Sequence, residues 1–129
     1  MSAVNPEGWP RPHGYSNGMR ARGEILAVAG QIGWDASQKL VPGGFVPQFE
    51  QALANVVAVV RAAGGAPEHL VSLTIFVTDR AAYHGALEEV GESYRRIVGK
   101  HYPAMALVIV AGLLEPHAMV EIQGLAVLP

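Results

Sequence analysis

The sequence predicts an α+β two-layer domain, a mixed β-sheet with two helices packed on one face. Two segments of helical periodicity alternate with apolar strand patterns, yet strand pairs stand at both ends, which a doubly wound parallel sheet would not have. The length of 129 residues is close to the common size of one domain. No internal repeat, low-complexity run or linker divides residues 1–129, so a single domain is expected.

The N-terminal 14 residues, with Pro6, Pro10, Pro12, Gly8 and Gly14, predict an irregular lead-in. Glu24 to Gln31 reads as a buried strand entered through the turn at Ala21-Arg22-Gly23, and residues 15–20 are a candidate hairpin partner for it. Trp34 to Gly44 is loop by composition, with a short strand expected at 39–41. Phe45, Phe49, Leu53, Val56, Val57 and Val60 recur at helical spacing and predict a helix over 45–63, with Gln48, Gln51 and Asn55 on its opposite stripe. Pro47 fits a first turn, where its missing N–H is not needed, and Gly64-Gly65 followed by Pro67 ends the helix. Leu70 to Thr78 alternates as a strand. Ala82, Tyr83, Leu87, Val90, Tyr94 and Ile97 predict one continuous second helix over 80–98, weakened at Gly91 and carrying a Glu92–Arg96 pair on its wet side. Ala104 to Ala111 and Ala118 to Leu128 complete the sheet.

Composition removes whole classes of function. The chain has no cysteine, which excludes disulfides, thiolate metal sites and a cysteine nucleophile. A net charge of −2 and a pI near 6.2 lack the basic excess of an electrostatic nucleic-acid binder. Aromatic residues at 7% leave few stacking platforms for single strands. Charged residues make up 16% of the chain, against about 25% in an average domain. With 50% hydrophobic residues and a mean hydropathy of +0.24, part of the surface is expected to be covered by further copies of the chain. The longest helix-like apolar stretch is interrupted by Gln48, Glu50, Gln51, Asn55 and Arg61, so no membrane span is expected, and the N-terminus has no signal-like apolar core. These features together predict a cytoplasmic, oligomeric protein.

His13, His69, His84, His101 and His117 show no metal-ligand spacing, so no metal site is expected. Gly43-Gly44 and Gly64-Gly65 match no phosphate-loop pattern, and no cofactor motif is present. Glu121 stands out as a carboxylate in the apolar run Met119 to Val127, where a charge needs a partner or a role. Gly30 and Gln31 end the first long strand at a point where a missing side chain lets a ligand or another backbone approach. Tyr15 offers a phenol on the flexible turn after Gly14.

Taken together these segments resemble the reactive-intermediate deaminase (Rid, or YjgF-like) family over residues 12–128. The resemblance is carried by Gly14-Tyr15-Ser16, by Gly30-Gln31-Ile32, and by Gln48, Ala52, Leu53 and Asn55 on the first helix. It continues in Val71, Thr74, Phe76 and Asp79 and in Val120-Glu121-Ile122 with Ala126. It implies a chorismate-mutase-like fold, a homotrimer with clefts between subunits, and cofactor-free hydrolysis of enamines or imines to a 2-oxo acid and ammonia. By the same resemblance Glu121 holds the water and exchanges protons and Tyr15 orients the substrate. Gly30, Gln31, Met105 and the Ala106 N–H would line the substrate site. One departure is informative: the family's Pro-Ala-Arg segment, whose arginine clamps the substrate carboxylate, is Pro103-Ala104-Met105 here. The expected activity is therefore on an imine or enamine other than the usual 2-imino acids, unless Arg20 or Arg22 supplies the cation. A trimeric small-molecule-binding or regulatory protein without turnover, or a ribonuclease- or chaperone-like member of the family, stand as alternatives.

Overall fold

The computed structural model describes residues 1–129. The main sheet has four strands, β3 (Glu24–Ile32), β4 (Leu70–Val77), β5 (Ala104–Ile109) and β6 (Val120–Leu128), in the order β3-β6-β4-β5. β6 runs antiparallel to both β3 and β4, and β4 pairs parallel with β5, so the sheet is mixed. Helix α1 (Phe45–Ala62) covers one face with α3 (Leu87–Ile97) beside it, the α+β arrangement expected from the sequence.

Alternation within the strands separates two faces. Val28 of β3, Leu73, Ile75 and Val77 of β4, and Val120, Ile122, Ala126 and Leu128 of β6 point at α1, where Phe49, Leu53, Val56 and Val60 meet them. Most of these side chains are fully buried, and this layer is the hydrophobic core. The other face carries no helix. Its rows are Ala27–Leu125–Ser72–Ala104 and Ile32–Glu121–Phe76–Val108. Ile25 at 70% and Val108 at 41% exposure mark it as an uncovered, largely apolar surface.

Four expectations change. The lead-in is not wholly irregular: β1 (Ser2–Val4) pairs antiparallel with β2 (Gly18–Arg20). That pairing uses the segment expected to flank β3; after Ser16 the chain is committed to the far edge of the sheet. The short strand at 39–41 reduces to one bridge, Trp34 to Leu40, inside a glycine-rich loop. The second helix is two. Asp79 caps α2 (Arg80–His84) by accepting the Ala82 N–H at 3.0 Å, and the chain breaks at Gly85-Ala86 before α3 begins. Glycine's low helix propensity acts here, whereas Gly91 stays helical inside the packed α3. Finally, Arg96 pairs with Glu50 of α1 at 3.1 Å rather than with Glu92, and Ser93 donates to the same carboxylate at 2.7 Å.

The polar stripe of α1 is structural. Gln48 is 5% exposed. It accepts the Met119 N–H at 2.8 Å and donates to the His117 carbonyl at 3.2 Å, fixing the entry to β6. Asn55 donates to the Ile32 and Trp34 carbonyls at 3.2 and 2.9 Å and so fixes the exit from β3. Backbone groups at strand ends lose their ladder partners, and these two amides replace them. Both therefore hold the strand ends that carry Gly30 and Glu121.

Candidate functional site

The expected site residues fall into two groups on opposite faces of the sheet. The first is built on a β-bulge. Val28 faces Gly124 and Gln31 faces Ile122, so Ala29 and Gly30 together stand opposite the single residue Gln123. The bulge turns Gly30 toward Glu121 on the helix-free face. A Cβ at Gly30 would lie 2.8 Å from the Glu121 carboxyl carbon and 3.1 Å from its Oε1, so the absence of a side chain makes room for the carboxylate. Glu121 is half-buried and makes no ion pair within the chain. The same bulge puts Gln31 in register with Ile122, and its amide donates to the Ala29 carbonyl at 3.1 Å. Gln31 thus braces the bulge, and Ile32 is the residue directly across from Glu121.

The second group lies at the β5 edge, on the helix-covered side. Ser16 bridges to Ala104, its N–H donating to the Pro103 carbonyl at 3.1 Å and its hydroxyl to the Tyr102 carbonyl at 2.6 Å. This bolts the N-terminal segment along β5 and sets Tyr15, 42% exposed, beside Met105. Met105, in register with the core residue Leu73, points into the helix layer. Tyr15 and Met105 line a pocket of about 460 Å³ between β5 and α3. All four tyrosines of the chain line it, with Phe49 and Leu107 at its base. Tyr94 stacks on Tyr102 with ring centroids 5.5 Å apart and donates its hydroxyl to the His101 carbonyl at 2.5 Å. Burial, with Tyr102 alongside, holds the Tyr94 phenol protonated well above the ordinary tyrosine range.

Backbone direction separates Ala106 from its neighbours. The Val110 N–H donates to Val77 of β4, and the Pro103 carbonyl turns the other way, to Ser16. N–H groups alternate along a strand, so Ala106 directs its own into the β4 ladder. Leu107, one residue on, directs its N–H to the open edge beside the pocket. Arg20 lies on β2 with its guanidinium against the Ser2 hydroxyl. Arg22 lines a separate cavity of about 670 Å³ with Lys100 and His101. Neither joins Met105. The cation that does is Arg95 of α3, which sequence reasoning missed. Its signal was present: Leu87, Val90, Gly91 and Tyr94 form a helical stripe, and Arg95 continues it one turn beyond Gly91.

No cluster of three His, Asp or Glu side chains is close enough to hold a metal ion, and no helix is long and apolar enough to cross a membrane. The arrangement defines an α+β domain with a carboxylate beside a glycine on one sheet face and an aromatic pocket on the other.

Comparison with known proteins places the domain. Residues 10–128 match the family model described as Endoribonuclease L-PSP. A 2-iminobutanoate/2-iminopropanoate deaminase of Capra hircus is 35% identical over 103 residues, 79% of this chain and 72% of that protein. Among solved structures, YyfB of Yersinia pestis, a Rid-family protein of unknown function, superposes with a TM-score of 0.87 at 30% identity over 98% of both chains. The YjgF gene product of E. coli superposes with a TM-score of 0.70 at 29% identity over 100% of both. The chain belongs to the Rid (YjgF-like) family.

Proposed function

We propose that the protein hydrolyses an enamine or imine to a carbonyl compound and ammonia in clefts between the subunits of a homotrimer. The observation that carries this reading is the division of the site. Glu121 and Gly30 open onto the helix-free face, while Tyr15 and Met105 line a pocket on the other side of the same sheet. A single copy cannot apply both groups to one small molecule. The apolar face around Ile25 and Val108 is the surface that a neighbouring copy covers. The deaminase relatives support the reaction class.

In this mechanism water adds to the C=N carbon and gives a tetrahedral carbinolamine. Glu121 takes a proton from the attacking water and returns it to nitrogen. Glu121 then takes the hydroxyl proton and delivers it to the amino nitrogen as the C–N bond breaks, so the oxygen becomes the carbonyl and ammonia leaves, with no change in oxidation state; an enamine enters this path after protonation of its carbon gives the imine. Tyr15 orients the substrate, and the Leu107 N–H at the open β5 edge is a donor for the developing oxyanion. The family model's endoribonuclease description finds no support in the charge balance, 9 basic against 11 acidic residues.

Met105 bears on substrate choice. A thioether gives no charge-assisted contact to a carboxylate, a loss of about 1.5–3 kcal/mol for a small 2-imino acid. Met105→Arg is expected to speed hydrolysis of 2-aminoacrylate about 10- to 150-fold toward the value of an arginine-bearing relative. The rate of 2-oxo acid release from 2-aminoacrylate generated in situ, against the uncatalysed rate, measures it. A wild type that already matches such a relative would show that Met105 does not limit this substrate.

A further inference from the structure

From the walls of the pocket we infer that Arg95 is its carboxylate-binding residue, and that the ligand it serves is a carboxylate with a planar aromatic or conjugated body. This rests on the deaminase reading for its place in a reaction, but its test does not require turnover. Arg95 projects from the α3 stripe that faces the pocket. The chain's one ion pair joins Arg96 and Glu50, so Arg95 is left without an internal carboxylate. Its neighbour Arg96, one residue on, faces α1 instead.

Gly91 sets where the Arg95 guanidinium lies. A Cβ at Gly91 would stand 3.2 Å from Arg95 Nη1 and 3.9 Å from Nη2, so the guanidinium folds back over the helix exactly where a side chain is missing. Glycine inside a helix is unfavourable relative to alanine. Gly91 has an ordinary helical backbone that any residue adopts, and the space it leaves is taken by the guanidinium. The rest of the wall selects the body of the ligand. Tyr15, Tyr83, Tyr94 and Tyr102 surround a volume of about 460 Å³, far more than a three- or four-carbon imino acid fills. Tyr94 alone directs its hydroxyl to a protein carbonyl. Aromatic walls favour a flat unsaturated group, and a guanidinium among them favours a carboxylate. The cation comes from the helix wall and not from β5, where Met105 stands, so a ligand using Arg95 lies across the pocket from strand to helix.

The test is equilibrium binding by titration calorimetry, with phenylpyruvate, pyruvate and phenylacetone as probes. Phenylacetone keeps the ring and loses the carboxylate. Wild type is expected to bind phenylpyruvate at least tenfold more tightly than pyruvate. Arg95→Gln should weaken phenylpyruvate about 10- to 150-fold and leave phenylacetone unchanged. Gly91→Ala should raise the melting temperature by about 3–6 °C and yet weaken phenylpyruvate, because the guanidinium must move. Unchanged phenylpyruvate binding in Arg95→Gln overturns the proposal. So does an equal loss for phenylacetone, which would make Arg95 a packing residue, or a wild type that binds pyruvate as well as phenylpyruvate or binds no probe. Arg95-dependent binding in a protein that hydrolyses no imine would sink the deaminase reading alone. Glu121-dependent hydrolysis with Arg95-independent binding would sink this one alone.

Discussion

Glu121→Gln is expected to assemble like the wild type and to lose imine hydrolysis by about 10²- to 10⁴-fold, the usual range for removal of a general acid–base group. The amide keeps the shape of the carboxylate and loses the ability to take and return a proton. The fold should not notice the change. Glu121 makes no ion pair, it faces the helix-free side, and its strand is held by Val120 and Ile122 on the core side. The check is the rate of ammonia and 2-oxo acid release by a variant whose mass in solution and circular dichroism match the wild type. Unchanged turnover in such a variant would make Glu121 a surface residue of the sheet.

The second large effect is expected at Gly30. Gly30→Val keeps an allowed backbone, since Gly30 does not have the positive φ seen at Gly14, Gly23 or Gly64. What it lacks is space, because a Cβ would press on the Glu121 carboxyl carbon at 2.8 Å and on Cγ at 3.0 Å. The carboxylate must swing away, and a displacement on the order of 1 Å at a reacting group costs roughly 10²-fold in rate. The variant should keep its fold and its own copy's Tyr15–Met105 pocket, because that pocket lies on the other side of the sheet. Full activity in folded Gly30→Val would show that Glu121 acts from some other position, or not at all.

How much of this was legible in the sequence depends on the kind of signal. The helix expected over 45–63 and the strands expected at 24–31, 70–78 and 118–128 match the structure to within two residues at each end, because burial against one face imposes a period that hydrophobic residues record directly. Glu121 was legible for the same reason, as a charge breaking such a record. The pairing of Ser2–Val4 with Gly18–Arg20 left no comparable mark, since both strands are short and largely exposed and no face is buried to impose alternation. The break at Gly85 was hidden because the apolar stripe continues across it from Tyr83 to Leu87. The bulge at Ala29-Gly30 was invisible too, although it decides that Gly30 and not Gln31 meets Glu121. A one-residue shift changes which face every later side chain takes, and only the partner strand reveals it. Gln48 and Asn55 looked like a wet stripe because an amide that caps a strand end and an amide in solvent read alike in sequence. Arg95 drew no attention in the sequence, because a cation in the last turn of an amphipathic helix is ordinary. Its place in line with Leu87, Val90, Gly91 and Tyr94 was legible, but that this stripe borders a pocket beside β5 is a tertiary fact.

The division of the site between two copies is the claim on which the function rests, and mixed assemblies test it directly. Glu121→Gln removes one half-site. Met105→Glu, a charge in a pocket open enough to solvate it, removes the other by repelling an anionic substrate. Each variant alone is expected to be inactive. Denatured together in equal amounts and refolded, they should recover about one quarter of the wild-type rate, since each half-site is intact in half the copies and the two come from different subunits. Co-assembly shown by mass without any recovered hydrolysis would contradict a site shared between subunits.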